Sequence, residues 1–180
     1  HLQAFADQAE HMAATASACI KQAATRLIET EIKGDGSPVT DVDKAVETRI
    51  RDIISETFPS HGILGEEFDP IAPDAEFVWI IDPIDGTLPF LAGIPVFGTL
   101  IALTKGGVPI IGVIDMPMTG ERWVGKQGQR TLLNGQPIQT RSCGDLSNAL
   151  LSTSNQDYYD GATLKALEAM KAATRLAVYG

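Results

Sequence analysis

Trp79-Ile80-Ile81-Asp82-Pro83-Ile84-Asp85-Gly86-Thr87 decides how the rest of the chain is read. The apolar run from Phe77 to Ile81 predicts a buried strand. Pro83 is expected to stop that strand, and Gly86 frees the backbone to turn. Asp82 and Asp85 are then expected in a turn at the strand's end. Two carboxylates this close repel unless something positive stands between them. A hard cation such as Mg²⁺ takes carboxylates, backbone carbonyls and waters. Asp82 and Asp85, with the carbonyl of Ile84, offer such a set. Thr87 adds a hydroxyl, and a helix starting there aims free N–H groups at an anion. Metals beside an anion cradle suit in-line attack on a phosphate. A solvated Asp-Pro-x-Asp-Gly turn is the plainer alternative.

Two upstream stretches carry similar chemistry. Gly65-Glu66-Glu67 follows a short apolar run, so Glu66 is a candidate third carboxylate. Ser37-Pro38-Val39-Thr40-Asp41-Val42-Asp43 puts Thr40 at a helix N-cap, with Asp41 and Asp43 in the first turn. Complementing the helix dipole accounts for Asp41. Lys33 lies in the polar stretch from Glu31 to Pro38, which reads as a loop. It is either solvated or a cation that approaches the acids.

These three stretches, in this order, resemble the motifs of the inositol monophosphatase family of Mg²⁺-dependent phosphatases. The resemblance implies a layered α-β-α-β-α sandwich, mixing α+β and α/β parts. It implies Glu66, Asp82, Asp85 and the Ile84 carbonyl as metal ligands, for two or three Mg²⁺ ions. It implies that Asp43, Thr87 and Glu66 act in catalysis, with Thr87 and Asp43 paired to orient the attacking water. Asp85, Gly86 and Thr87 would hold the substrate phosphate.

Within the family, the chain is most similar to bacterial-type histidinol-phosphate phosphatases. That similarity rests on Phe97 to Leu103, Ile111 to Asp115, Glu121 to Gly125, and Asn134-Gly135 through Cys143. It implies a cytoplasmic, homodimeric enzyme of histidine biosynthesis acting on a small phosphorylated metabolite. Leu88-Pro89 stands where those phosphatases carry Lys-Ser, which removes a cation beside the phosphate. Inositol 1-phosphate, fructose 1,6-bisphosphate and nucleotide 3′-phosphates are the alternative substrates. A non-catalytic relative that binds metal or an anion is the alternative of another class.

Bulk properties agree with this range. The 180 residues are 44% hydrophobic and 21% charged, ordinary for a soluble globular protein. A net charge of −9 argues against nucleic-acid binding, which needs a basic face. It is compatible with a phosphorylated substrate where cations invert the local field. Cys19 and Cys143 read as reduced, buried thiols. No run has transmembrane length, no signal peptide opens the chain, and no membrane association is expected.

Periodicity gives the remaining elements. Leu2, Phe5, Ala9, Met12, Ala16, Cys19, Ala23 and Leu27 predict an amphipathic helix of about seven turns. Val42 to Phe58 predicts a second helix, ended by Pro59. A short helix is expected from Thr87 to near Gly93. Strands are expected over Val96–Leu103, Val108–Ile114 and Glu121–Val124, with Asn134-Gly135 as a hairpin turn. The result is an antiparallel meander with covering helices. Leu150–Thr153, a helix from Asp160 to Ala173 and a strand from Arg175 to Tyr179 predict a β-α-β pass. In that helix Leu164, Leu167 and Met170 are expected to face inward. The expected domains are residues 1–140, an α+β unit with the metal site, and residues 141–180, the start of an α/β unit. Family members continue with another metal-binding aspartate in a Trp-Asp motif, so a C-terminal part is expected beyond Gly180.

Overall fold

A computed structural model describes residues 2–24, 27–34 and 36–179. The expectations that touch His1, Asp35 and Gly180 lie outside the described residues. The chain divides into two compact units, with Gln139 closing the first and Thr140 opening the second.

Helix α1 spans Leu2–Ala23. It stops at Ala23, so it has about six turns, not seven. Leu27 stands 89% exposed rather than on the buried face. The buried stripe is Ala6, Ala9, Met12, Ala13, Ala16, Ile20 and Ala23. Five of these seven are alanines, and short side chains let the helix axis approach its neighbours closely.

Strands β1 (Thr30–Ile32) and β2 (Pro38–Thr40) form an antiparallel pair that brackets the Lys33 turn. Only the middle of the Glu31–Pro38 stretch is therefore loop. Thr40 ends β2 and caps α2 (Asp41–Thr57), as its position predicts. Val42, Val46, Ile50 and Ile54 give α2 its buried face.

Strand β3 (Gly62–Gly65) runs parallel to β4 (Phe77–Asp85). From β4 the sheet continues as an antiparallel meander. Its members are β5 (Gly98–Lys105), β6 (Val108–Met116), β7 (Glu121–Lys126), β8 (Leu132–Leu133) and β9 (Gln136–Pro137). Helix α1 packs on β5, β6 and β7, and α2 packs on β3 and β4. Helices against a mixed sheet give this unit the expected α+β character. The Asn134-Gly135 turn between β8 and β9 has positive φ at both residues, as such a two-residue hairpin turn requires.

Pro83 does not end β4, contrary to the expectation from proline alone. The β3 pairing finishes at Ile81, so beyond it that side of β4 needs no N–H. On the β5 side the register shifts between Asp82 and Asp85, and Pro83 sits in that irregularity. Its carbonyl accepts the Thr99 hydroxyl at 2.8 Å. Asp82 and Asp85 thus belong to the strand's distorted end, not to a free turn.

Trp79, at the centre of β4, is fully buried. Its indole N–H donates to His61 Nδ1 at 3.1 Å. The His61 ring stacks on Phe58 at 4.7 Å and on Phe77 at 4.9 Å. The sheet face that carries Ile80, Leu100, Ala102, Ile114 and Trp123 borders a depression of about 530 Å³.

In the second unit, β10 (Leu150–Thr153) pairs parallel with β11 (Leu176–Tyr179), and α4 (Gly161–Ala173) connects them. Of the three inward positions expected in α4, only Leu167 is buried, and Met170 is exposed. Both cysteines are free, but Cys143 is exposed and Cys19 half-buried, so neither fits the expected buried thiol. Among the described residues no helix is long and apolar enough to cross a membrane.

Candidate active site

Asp43 is fixed by the start of α2. Its Oδ2 accepts the Thr40 backbone N–H at 2.8 Å and also the Thr40 hydroxyl. The Thr40 oxygen in turn accepts from the N–H groups of Val42 and Asp43. This reciprocal cap orders the helix start and locks the Asp43 side chain, which is 1% exposed. Burial raises the Asp43 carboxyl above its ordinary range. The Thr40 bonds offset that in part, and the Glu66 charge adds to it.

Glu66 and Glu67 follow β3 directly. The Lys33 ammonium reaches from the β1–β2 turn and lies 2.8 Å from Glu66 Oε1 and 2.8 Å from Glu67 Oε1. Of the two readings open for Lys33, the structure selects the cation among the acids. Burial opposes its charge, but the bonds and charges of Glu66 and Glu67 outweigh it and hold the ammonium above its usual range. The Glu67 carboxylate is buried and raised by that burial, with Lys33 acting against it. The Glu66 side chain is half exposed.

Asp82 is the most perturbed of the acids. Burial, then the charges of Glu66, Asp85 and Asp43, push its carboxyl up to about 7. Its Oδ1 is buried and has no hydrogen-bond partner. A carboxylate with a desolvated, unpartnered oxygen among like charges is poorly stabilised without a cation.

Beyond Asp82 the chain pivots at Gly86, whose φ of +91° is the left-handed geometry glycine allows. Gly86 caps α3 (Thr87–Ala92), which ends at Gly93 as expected. The Thr87 hydroxyl donates to the Ile84 carbonyl at 3.2 Å. Thr87 and Asp43 therefore bond elsewhere and not to each other. Leu88 is exposed beside them, so the departure from Lys-Ser gives the site an apolar edge.

Among the described residues no group of three or more acidic, histidine or cysteine side chains is arranged to hold a metal ion. The donor set still fits a hard cation. It is all oxygen, it has an orphaned buried oxygen on Asp82, and it already draws one cation, Lys33, onto Glu66.

Two residues bonded to the backbone beside Glu66 escaped the sequence reading. Glu47 is fully buried on α2 and accepts the Glu67 backbone N–H at 2.8 Å. Arg51, one turn on, pairs with Glu47 at 2.7 Å. A Glu-Arg pair four residues apart, flanked by the buried Val46 and Ile50, was the available signal.

Comparison with known proteins gives a consistent picture. The inositol monophosphatase family matches residues 1–180. The chain is 40% identical over 181 residues to the bifunctional phosphatase IMPL2, chloroplastic, of Arabidopsis thaliana, covering 99% of this chain and 52% of that protein. It is 38% identical over 133 residues to the histidinol-phosphatase of Chlorobaculum parvum, covering 74% of this chain and 51% of that protein. A solved inositol monophosphatase from Zymomonas mobilis superposes with a TM-score of 0.86 at 35% identity, covering 99% of this chain and 69% of that one. The chain spans about half the length of the curated relatives it matches.

Proposed function

Because the chain belongs to the inositol monophosphatase family, we propose that it forms the metal-binding part of a Mg²⁺-dependent phosphomonoesterase. The observation that carries this reading is Asp82. Its buried, unpartnered oxygen and its carboxyl pushed up to about 7 describe a carboxylate without a positive partner of its own. Glu66, Asp82, Asp85 and the Ile84 carbonyl would hold the ions. Bound Mg²⁺ would neutralise phosphate charge and supply a water of lowered pKa. Asp43 and Thr87 would orient that water. For this, Thr87 would turn its hydroxyl from the Ile84 carbonyl to the water, while Asp43 stays anchored by Thr40. The Gly86 and Thr87 N–H groups, with Asp85, would position the phosphate.

The substrate we favour is histidinol phosphate. The similarity to the Chlorobaculum enzyme supports it. So does the acidic balance of the chain, which suits a leaving group that carries an amine and an imidazole. The parent enzyme would be a cytoplasmic homodimer in this reading. The test is kcat/KM for histidinol phosphate against inositol 1-phosphate and fructose 1,6-bisphosphate, with and without Mg²⁺. A preference of roughly a hundredfold is expected where polar groups match the leaving group. Equal values would reject histidinol phosphate and keep the phosphatase. No Mg²⁺-dependent release from any of the three would reject both.

A further inference from the structure

Glu47 is a buried carboxylate with both oxygens engaged. Oε1 accepts from Arg51 Nε at 2.7 Å, and Oε2 accepts from the Glu67 backbone N–H at 2.8 Å. The other two guanidinium nitrogens of Arg51 donate to the carbonyls of Phe68, at 2.9 Å, and Asp69, at 3.0 Å. Residues 67, 68 and 69 are thus gripped in succession from one face of α2. Upstream, Gly65 lies against the same carboxylate. A Cβ there would overlap Glu47 Oε1, so the backbone can pass this closely only as glycine.

Such a pair is a poor device for stability alone. Taking two charges out of water costs about as much as their attraction returns, and apolar replacements of similar volume are often neutral or better. The pair's distinctive property is geometric. It ties a segment with no regular secondary structure, residues 66–69, to a helix, with directional bonds to three consecutive backbone groups. Glu66 and Glu67 of this segment both reach Lys33, and Glu66 is the one whose charge acts on Asp82.

We infer that Glu47, backed by Arg51, is a positioning residue for Glu66. It fixes the backbone through residues 65–69 so that the Glu66 carboxylate stands ready for the cation, which Glu47 itself does not touch. The inference rests on the reading of Glu66 as a metal ligand. Groups that orient a metal's direct ligands typically change affinity by about 10–100-fold when removed.

The test uses the full-length protein and Mg²⁺ itself, with binding followed by titration calorimetry and the fold by circular dichroism and Tm. The double variant E47L/R51M removes the charges together and so leaves no unpaired buried ion. It is expected to keep the fold while weakening Mg²⁺ binding at least tenfold. Introduced into a Glu66→Gln protein, the same pair of substitutions is expected to change affinity no further, because the ligand it positions is already gone. Gly65→Ala provides a second route should the double variant not fold. It keeps both charged side chains, but its Cβ overlaps Glu47 Oε1, the oxygen to which Arg51 Nε donates, and crowds Oε2, so the carboxylate is displaced from its grip and the same loss is expected. Unchanged Mg²⁺ affinity in a folded variant overturns the inference. So does an equal further loss in the Glu66→Gln background, which marks a general structural role. A parent protein that binds no Mg²⁺ overturns the metal reading and this inference together, and is told apart by the parent titration alone.

Discussion

Lys33 and Glu66, 33 positions apart in the chain, are joined by an ion pair of 2.8 Å. One comes from the turn between two short strands and the other from the end of β3. The ammonium therefore occupies a carboxylate that the proposed function assigns to Mg²⁺. Metal binding at Glu66 and this ion pair thus compete. Lys33→Met should tighten Mg²⁺ binding about fivefold, the equivalent of one partly exposed ion pair of about 1 kcal/mol. It should also lower the Tm of the metal-free protein, because Glu66 and Glu67 lose their cation. Calorimetric titration of both proteins at one ionic strength checks this, and weaker binding in the variant would refute the competition.

Asp82 makes the metal-free protein pH-sensitive. Its folded carboxyl titrates near 7, far above the ordinary carboxylate range near 4. A raised value means that ionisation opposes folding. Its stabilising contribution is complete below about pH 4 and is lost as the pH rises through about 7. Asp82→Asn should therefore raise the metal-free Tm at pH 8 by about 3–6 °C, after discounting for partial exposure. The gain should vanish at pH 4. Saturating Mg²⁺ should stabilise the parent and not the variant, and Mg²⁺-dependent turnover should be lost.

His61 works in the opposite direction. Burial lowers its folded pKa, while the Glu76 charge opposes the shift. The neutral ring is also the acceptor for the Trp79 indole N–H. Its contribution is present above about pH 6.5 and is lost as the pH falls through the lowered folded value. His61→Phe keeps the aromatic stack and removes the acceptor. Its Tm should fall less between pH 7 and 5 than that of the parent, by about 2–4 °C. Trp79 fluorescence should stop responding to pH over the same range.

Gly86 and Gly93 separate backbone strain from function. Both have positive φ, so alanine at either costs about 1 kcal/mol and about 2–4 °C of Tm. A Cβ at Gly93 meets open space, whereas one at Gly86 lies 3.3 Å from Phe97 Cβ. Gly86→Ala should cut Mg²⁺-dependent kcat more than tenfold, and Gly93→Ala should leave it within about twofold. Similar losses in both would show that the start of α3 has no special part in catalysis.

What the sequence reveals here follows the range of the interactions involved. The meander, the Asn134-Gly135 turn, the Thr40 cap and the αL glycine at Gly93 each depend on a few adjacent residues, and each is where local rules put it. Pro83 defeats those rules because its tolerance depends on β3 ending at Ile81, a fact about a neighbouring strand. Leu27 continues the apolar spacing of α1 but lies beyond the helix end at Ala23 and stands exposed, so spacing alone overextends the helix. The acids of the site are legible as motifs. The Lys33 pair and the Glu47–Arg51 grip are not, because each joins segments brought together only by the fold. Composition likewise implied buried thiols, and the exposed Cys143 shows how little that indicates for one side chain.

The alanine stripe of α1 has a consequence for how this chain is made. The helix is synthesised before the strands it packs on, β5 to β7, which lie beyond α2 and β4. At about 5–20 residues per second, a ribosome leaves α1 without that sheet for several seconds. Alanine buries little area, so the waiting helix offers chaperones and stray hydrophobic surfaces only a weak hold. The same small side chains that allow close packing in the finished fold keep the nascent segment inconspicuous until its partners emerge.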